Sequence, residues 1–185
     1  MDANHLINSL IELTKQNMND VQSFKKLPEG NLNYKPGKDS WSVLECIEHL
    51  NRYGDFYIPE IRKRIQNSTY KKSETFKSGF LGNYFAESML PKDNLNKIKT
   101  FKSMNPNNSK LQKSVLDKFT HQQEQILELL NKSQSTNLIK TKTAISIAKW
   151  IKLRLGDTFR VLIYHNQRHV VQAKRVAIMP VGKTI

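Results

Sequence analysis

The sequence predicts an all-α fold, a four-helix bundle in which one long crossover joins the second helix to the third. Three observations lead there. Apolar residues recur at three- and four-residue spacing in four separate stretches, the signature of amphipathic helices. Glycine and proline punctuate the chain between them. More than forty residues, including Gly79, Gly82, Pro91 and Pro106, separate the second stretch from the third. Connections that long are uncommon in compact domains and often functional, and a bundle with one long crossover is a known topology.

The first helix is expected over about 3–26, where Leu6, Leu10, Leu13, Asn17, Val21 and Phe24 form one stripe. Lys25 to Gly30, with Pro28 inside, ends it, and NYKPGKDSW continues as a turn-rich connection. The second helix, 43 to about 66, opens on a capping box: Ser42 can accept from the first exposed N–H groups while Glu45 reaches back. Pro59 inside it is expected to kink it. The crossover, 67–112, holds FLGNYFAESML, which has the apolar spacing of a short helix. A third helix is expected at about 111–131, with Val115, Phe119, Gln122, Ile126 and Leu130 on one side. TAISIAKWIKLRL reads equally as a short helix or an extended approach. The fourth helix is expected over about 157–178, with Asp157 as its N-cap after Gly156.

Composition sets the class. A chain of 185 residues with 38% hydrophobic content can bury one sizeable core, so residues 1–185 are expected to form a single domain. The start, MDANHLINSLIELTKQNMND, lacks the basic flank and apolar run of a signal peptide, and no apolar run approaches the ~20 residues needed to cross a bilayer. The reading is a soluble cytoplasmic protein with no membrane partner. Cys46 is the single cysteine, which excludes an internal disulfide and fits a small buried hydrophobe.

The net charge of +14 is unevenly spread. Residues 1–66 hold nine basic and nine acidic side chains, whereas 140–185 hold ten basic residues and one acidic residue, Asp157. Basic surface attracts phosphate without specifying it. No interleaved aromatic and basic pattern, recognition helix or zinc-finger spacing accompanies it, so a solvated basic face is expected rather than a nucleic-acid partner.

The chemistry sits in YHNQRHVVQ. His165 and His169 are four apart, which on a helix stacks them on one face with Cβ atoms ~5–6 Å apart. That face reads Leu162, His165, His169, Gln172, Val176, apolar at its ends and polar in the middle. A face made only for burial does not normally place such residues at its centre. On the second helix His49 shares a side with Glu45, Cys46, Tyr53 and Phe56, at the edge of the Val43, Ile47, Leu50 and Ile61 stripe. If the second and fourth helices are neighbours, three neutral imidazoles can meet, and three such ligands leave a fourth position for water or substrate. Ordinary readings stand beside this one: His49 as a core histidine bonded to Glu45, His169 as a surface group near Arg168. HNQRH has no glutamate in the place where zinc proteases carry their base, and His5 and His121 have no partners at useful spacing.

SWSVLECIEHL, followed far downstream by LGDTFRVLIYHNQRHVVQAKRV, resembles the DinB-like four-helix-bundle superfamily, which includes bacillithiol transferase relatives and metal-dependent hydrolases. The resemblance implies the bundle and crossover, frequent homodimers, and a divalent transition metal, zinc or nickel, held by His49, His165 and His169. A metal held by neutral ligands keeps its +2 charge, which lowers the pKa of bound water to ~7 or stabilises a thiolate. The expected function is therefore transfer of a low-molecular-weight thiol to an electrophilic substrate, a bacillithiol-type S-transferase. The alternatives are a metal-dependent hydrolase of an amide or ester, and a non-catalytic basic binding module. No protein side chain is assigned as base; Glu45, Tyr53 and Gln172 are expected to orient ligands or substrate, and Arg168 to meet an acidic cosubstrate.

Overall fold

The computed structural model describes residues 1–91 and 100–179. Four long helices make the body: α1 (Ala3–Phe24), α3 (Val43–Gln66), α5 (Ser114–Ser133) and α6 (Leu155–Ala177), with short helices α2 (Glu29–Asn33) and α4 (Phe80–Met89) between them. A 3-10 turn, Lys102–Met104, precedes α5, and a two-stranded antiparallel hairpin, β1 (Lys142–Ile145) and β2 (Ala148–Arg154), leads straight into α6. α3 and α1 each pack against both α5 and α6, so α1 and α3 occupy opposite corners and α3 is a neighbour of α6. Among the described residues no helix is long and apolar enough to cross a membrane.

Local chemistry explains the boundaries. The capping box at α3 is formed in full: the Glu45 N–H donates to Ser42 Oγ at 3.2 Å, and the Ser42 N–H donates to Glu45 Oε2 at 2.9 Å. α3 runs on through Pro59 to Gln66 as one helix. α4 occupies the stretch whose apolar spacing reads as a short helix. TAISIAKWIKLRL takes its extended alternative, as the hairpin. Burial alternates imperfectly there: Thr143, Ile145 and Leu153 are buried, while Ile147 and Trp150 lie exposed.

Asp157 is not the N-cap of α6. The helix begins two residues earlier, with extended Arg154 in the cap position. The Asp157 carboxylate, fully buried, turns to the crossover instead, accepting from Ser78 Oγ, from the Gly79 N–H at 2.8 Å and from Arg160 Nη1 at 3.4 Å. Arg160 Nη1 also donates to Ser78 Oγ at 2.7 Å and to Asn83 Oδ1 at 3.0 Å. Helix α4 comes so close here that a Cβ on Gly82 would sit 2.3 Å from the Asp157 carboxylate, which is why glycine occupies that position.

The core is two apolar clusters separated by a polar belt. Leu6, Ile7, Leu10, Tyr57, Ile61, Ile126, Phe159 and Ile163 belong to one cluster; Val21, Phe24, Leu44, Ile47, Leu116, Phe119, Val170 and Ala173 belong to the other. Each long helix changes character between them: Thr14 and Asn17 on α1, Asn51 on α3, Gln122 and Gln123 on α5, His165 and Asn166 on α6 are all buried. Buried polar groups are costly without partners. Asn166 Nδ2 donates to Gln123 Oε1 at 3.0 Å, and Gln122 Nε2 to the Asn51 carbonyl at 3.0 Å. His165 opens out of this belt.

Candidate metal centre

Helix α3 delivers His49, and successive turns of α6 deliver His165 and His169. The Nε2 atoms of His49 and His165 are 3.2 Å apart. One ligating atom from each of the three rings lies within 4.8 Å of the other two. Ring centroids are 4.6 Å apart for the pairs His49–His169 and His165–His169, and 5.0 Å for His49–His165. His49 and His165 are buried, and His169 is partly exposed.

The outer nitrogens of His49 and His169 show which face of those two rings is free to ligate. His49 Nδ1–H donates to the Met104 carbonyl at 2.7 Å, and His169 Nδ1–H donates to Gln172 Oε1 at 2.8 Å. With the proton on Nδ1, the lone pair sits on Nε2, which is how histidine ligands are normally oriented from behind. Burial lowers the pKa of all three rings. His49 is held at about 4, with the Arg52 charge adding to the effect and the Met104 carbonyl opposing it. His169 is held at about 3 by burial and the nearby His49, against the Gln172 bond. His165 is held well below its ordinary value by burial, then by the other two rings and Arg168. At neutral pH the three are uncharged, the form that binds a cation.

The surrounding residues divide clearly. Tyr53 places its ring against His49 and His165, at 5.0 and 4.6 Å, and burial raises its hydroxyl pKa to about 12, so it remains protonated. Gln172 holds His169. Glu45 does not orient a ring: its carboxylate is taken up by the capping box and by the Asn108 N–H, at 2.6 Å, with Lys35 Nζ at 3.6 Å. The partner of His49 is a backbone carbonyl where the sequence suggested Glu45. Arg168 is buried, not displayed, and its Nη1 reaches the Leu90 carbonyl at the end of α4 at 3.4 Å. The Cys46 thiol points into apolar packing, and burial keeps it protonated. It is no fourth ligand.

The donor set fits a divalent transition metal: three imidazoles, neutral, convergent, two of them fixed from behind. The sequence model of the DinB superfamily matches residues 11–173. The chain belongs to the DinB superfamily. Neither a curated protein nor a solved structure gives a significant match. The DinB match covers α3 and most of α6 and so encloses all three histidines. Within this DinB domain, sequence reasoning missed Trp41, whose ring stands 4.7 Å from that of His49 and 5.7 Å from that of His169. It also missed Met104, which acts through its backbone and carries no side-chain signal. Trp41 did have a signal, its place just before the capping box.

Proposed function

We propose that this DinB-superfamily chain is a metal-dependent enzyme that joins a low-molecular-weight thiol to an electrophilic substrate. His49, His165 and His169 would hold a divalent transition metal, zinc or nickel. The observation that carries the reading is the convergence of three neutral rings, each with one nitrogen within 4.8 Å of the other two, and with two outer nitrogens already committed to acceptors. When bound, the ion supplies a +2 Lewis-acid charge that its neutral ligands leave undiminished, and that charge favours the deprotonated form of a thiol or a water.

The chain's own residues supply the rest. Met104 and Gln172 hold protons on the outer nitrogens and so keep the ligating faces open. Trp41 and Tyr53 cover the rings and restrict water around them, which strengthens every electrostatic interaction in the site. Arg168, beside His169 on α6, is buried and turned to the Leu90 carbonyl, so it would favour an acidic cosubstrate through its nearby positive charge and not by display at the surface. In the overall reaction a C–S bond forms, the bond to the leaving group breaks, and the thiol proton departs with that group.

The test is elemental analysis of the wild type beside His165→Ala, followed by conjugation assays with low-molecular-weight thiols. The reading expects close to one equivalent of metal and a thiol-dependent product, both lost in the variant. Turnover of amide or ester substrates without thiol would select the hydrolase reading. Absence of bound metal even after loading would sink both. Salt-sensitive nucleic-acid binding that His49→Ala leaves unchanged would then favour a basic binding module.

A further inference from the structure

His49 takes its orientation from a backbone atom 55 residues away, on the crossover. Met104 closes the three-residue 3-10 turn, none of whose side chains is buried. With Met104 only partly buried, apolar packing alone does little to fix such a turn. It is fastened from α3. Arg52, one turn beyond His49, donates from Nη1 to the Asn105 carbonyl at 2.9 Å and to the Ser103 carbonyl at 3.4 Å, the residues on either side of Met104. Glu48 Oε1 accepts from Arg52 Nε at 3.3 Å and steadies the guanidinium. Glu45 then takes the Asn108 N–H further along. Glu45, Glu48, His49 and Arg52 share one face of α3 by helical spacing, so the ligand and the clamp that positions it come from the same surface.

We propose that Arg52 is a positioning residue for the metal centre: it pins the Ser103–Asn105 backbone so that the Met104 carbonyl holds the proton on His49 Nδ1 and leaves Nε2 to ligate. This rests on the metal reading of the site given above. Arg52 touches neither metal nor substrate; it acts through Met104.

The sign of the effect separates positioning from simple charge. Arg52 is a cation near a cation site, so by Coulomb's law alone its removal would tighten metal binding. Positioning requires the reverse. Arg64→Ala is the control, because Arg64 makes a matching pair with Glu60 on the same helix, at 2.8 Å, and does not hold the turn.

In zinc titrations against a chromogenic chelator, Arg52→Ala and Arg52→Met are expected to weaken affinity about tenfold or more, the usual size of an outer-partner effect. Arg64→Ala should leave it within about twofold. The nitrogen-15 spectrum of metal-free protein should show His49 losing its Nδ1–H preference in both Arg52 variants. Unchanged or tighter zinc binding, an unchanged His49 tautomer, or an equal loss in Arg64→Ala would each overturn the proposal. Arg52→Met keeps the aliphatic stem, so it decides the matter if Arg52→Ala folds poorly. A wild type that takes up no zinc would defeat the metal reading, while the tautomer measurement would still decide whether Arg52 positions the ring.

Discussion

Helix α6 carries two buried polar clusters, and they are built on opposite plans. Around Asp157 and Arg160 the hydrogen bonds close on the protein itself: the carboxylate accepts from Ser78, Gly79 and Arg160, and the guanidinium donates to Ser78 and Asn83. Around His165 and His169 the protein takes the outer nitrogen of His169, while the inner atoms face each other and His49. The first arrangement seals α4 to α6. The second leaves lone pairs aimed at one point. Buried polarity that satisfies itself is architecture, whereas buried polarity that converges has chemistry left to do.

The comparison can be broken most forcefully at the sealed cluster. Asp157→Ala leaves the Arg160 guanidinium buried without its counter-ion, a loss expected to cost about 3–5 kcal/mol. A lowered urea midpoint with metal stoichiometry intact is the expected result; lost metal with unchanged stability would reverse the roles of the two clusters. Acid comes next. The histidines have native pKa values below the ordinary 6.5, so as pH falls the unfolded chain takes up protons that the native rings refuse. Metal-free protein should keep its full stability above pH 6.5 and lose it progressively toward pH 4, by on the order of 3 kcal/mol from His49 alone. Urea titrations at pH 7 and pH 4 measure this, and His49→Phe should reduce the difference while leaving the part due to His165 and His169.

His165→Ala removes one of the three proposed ligands and is expected to weaken metal binding about a hundredfold, on the order of 2.7 kcal/mol, with the fold retained. Dialysis against metal buffers would read it, and near wild-type affinity would mean that the rings do not share an ion. Smallest is Gln172→Ala, which frees the outer nitrogen of His169 and should cost roughly tenfold in affinity, about 1.4 kcal/mol. No change there would confine outer orientation to His49.

The four long helices and the three histidines were legible because both rest on local periodicity. Val43, Ile47, Leu50 and Ile61 mark the buried stripe of α3, and the spacing of His165 to His169 is itself a geometric statement. What escaped was set by distant partners. Asp157 looks like an N-cap until Ser78 and Gly79 arrive from the crossover and claim its carboxylate. Glu45 looks like an orienting group for His49, yet the capping box and Asn108 use both of its oxygens. Met104 and Arg52 could not be read at all, since a carbonyl has no residue type and the bonds of Arg52 depend on where a turn 51 to 53 residues away comes to rest.

His49 and His165 stand 116 residues apart along the chain. His165 is therefore made 116 residues after His49, and a growing chain that has not yet reached α6 presents His49 alone. The three rings converge only once α3 and α6 have docked, so an ion that needs all three would bind the folded chain and not its separate parts.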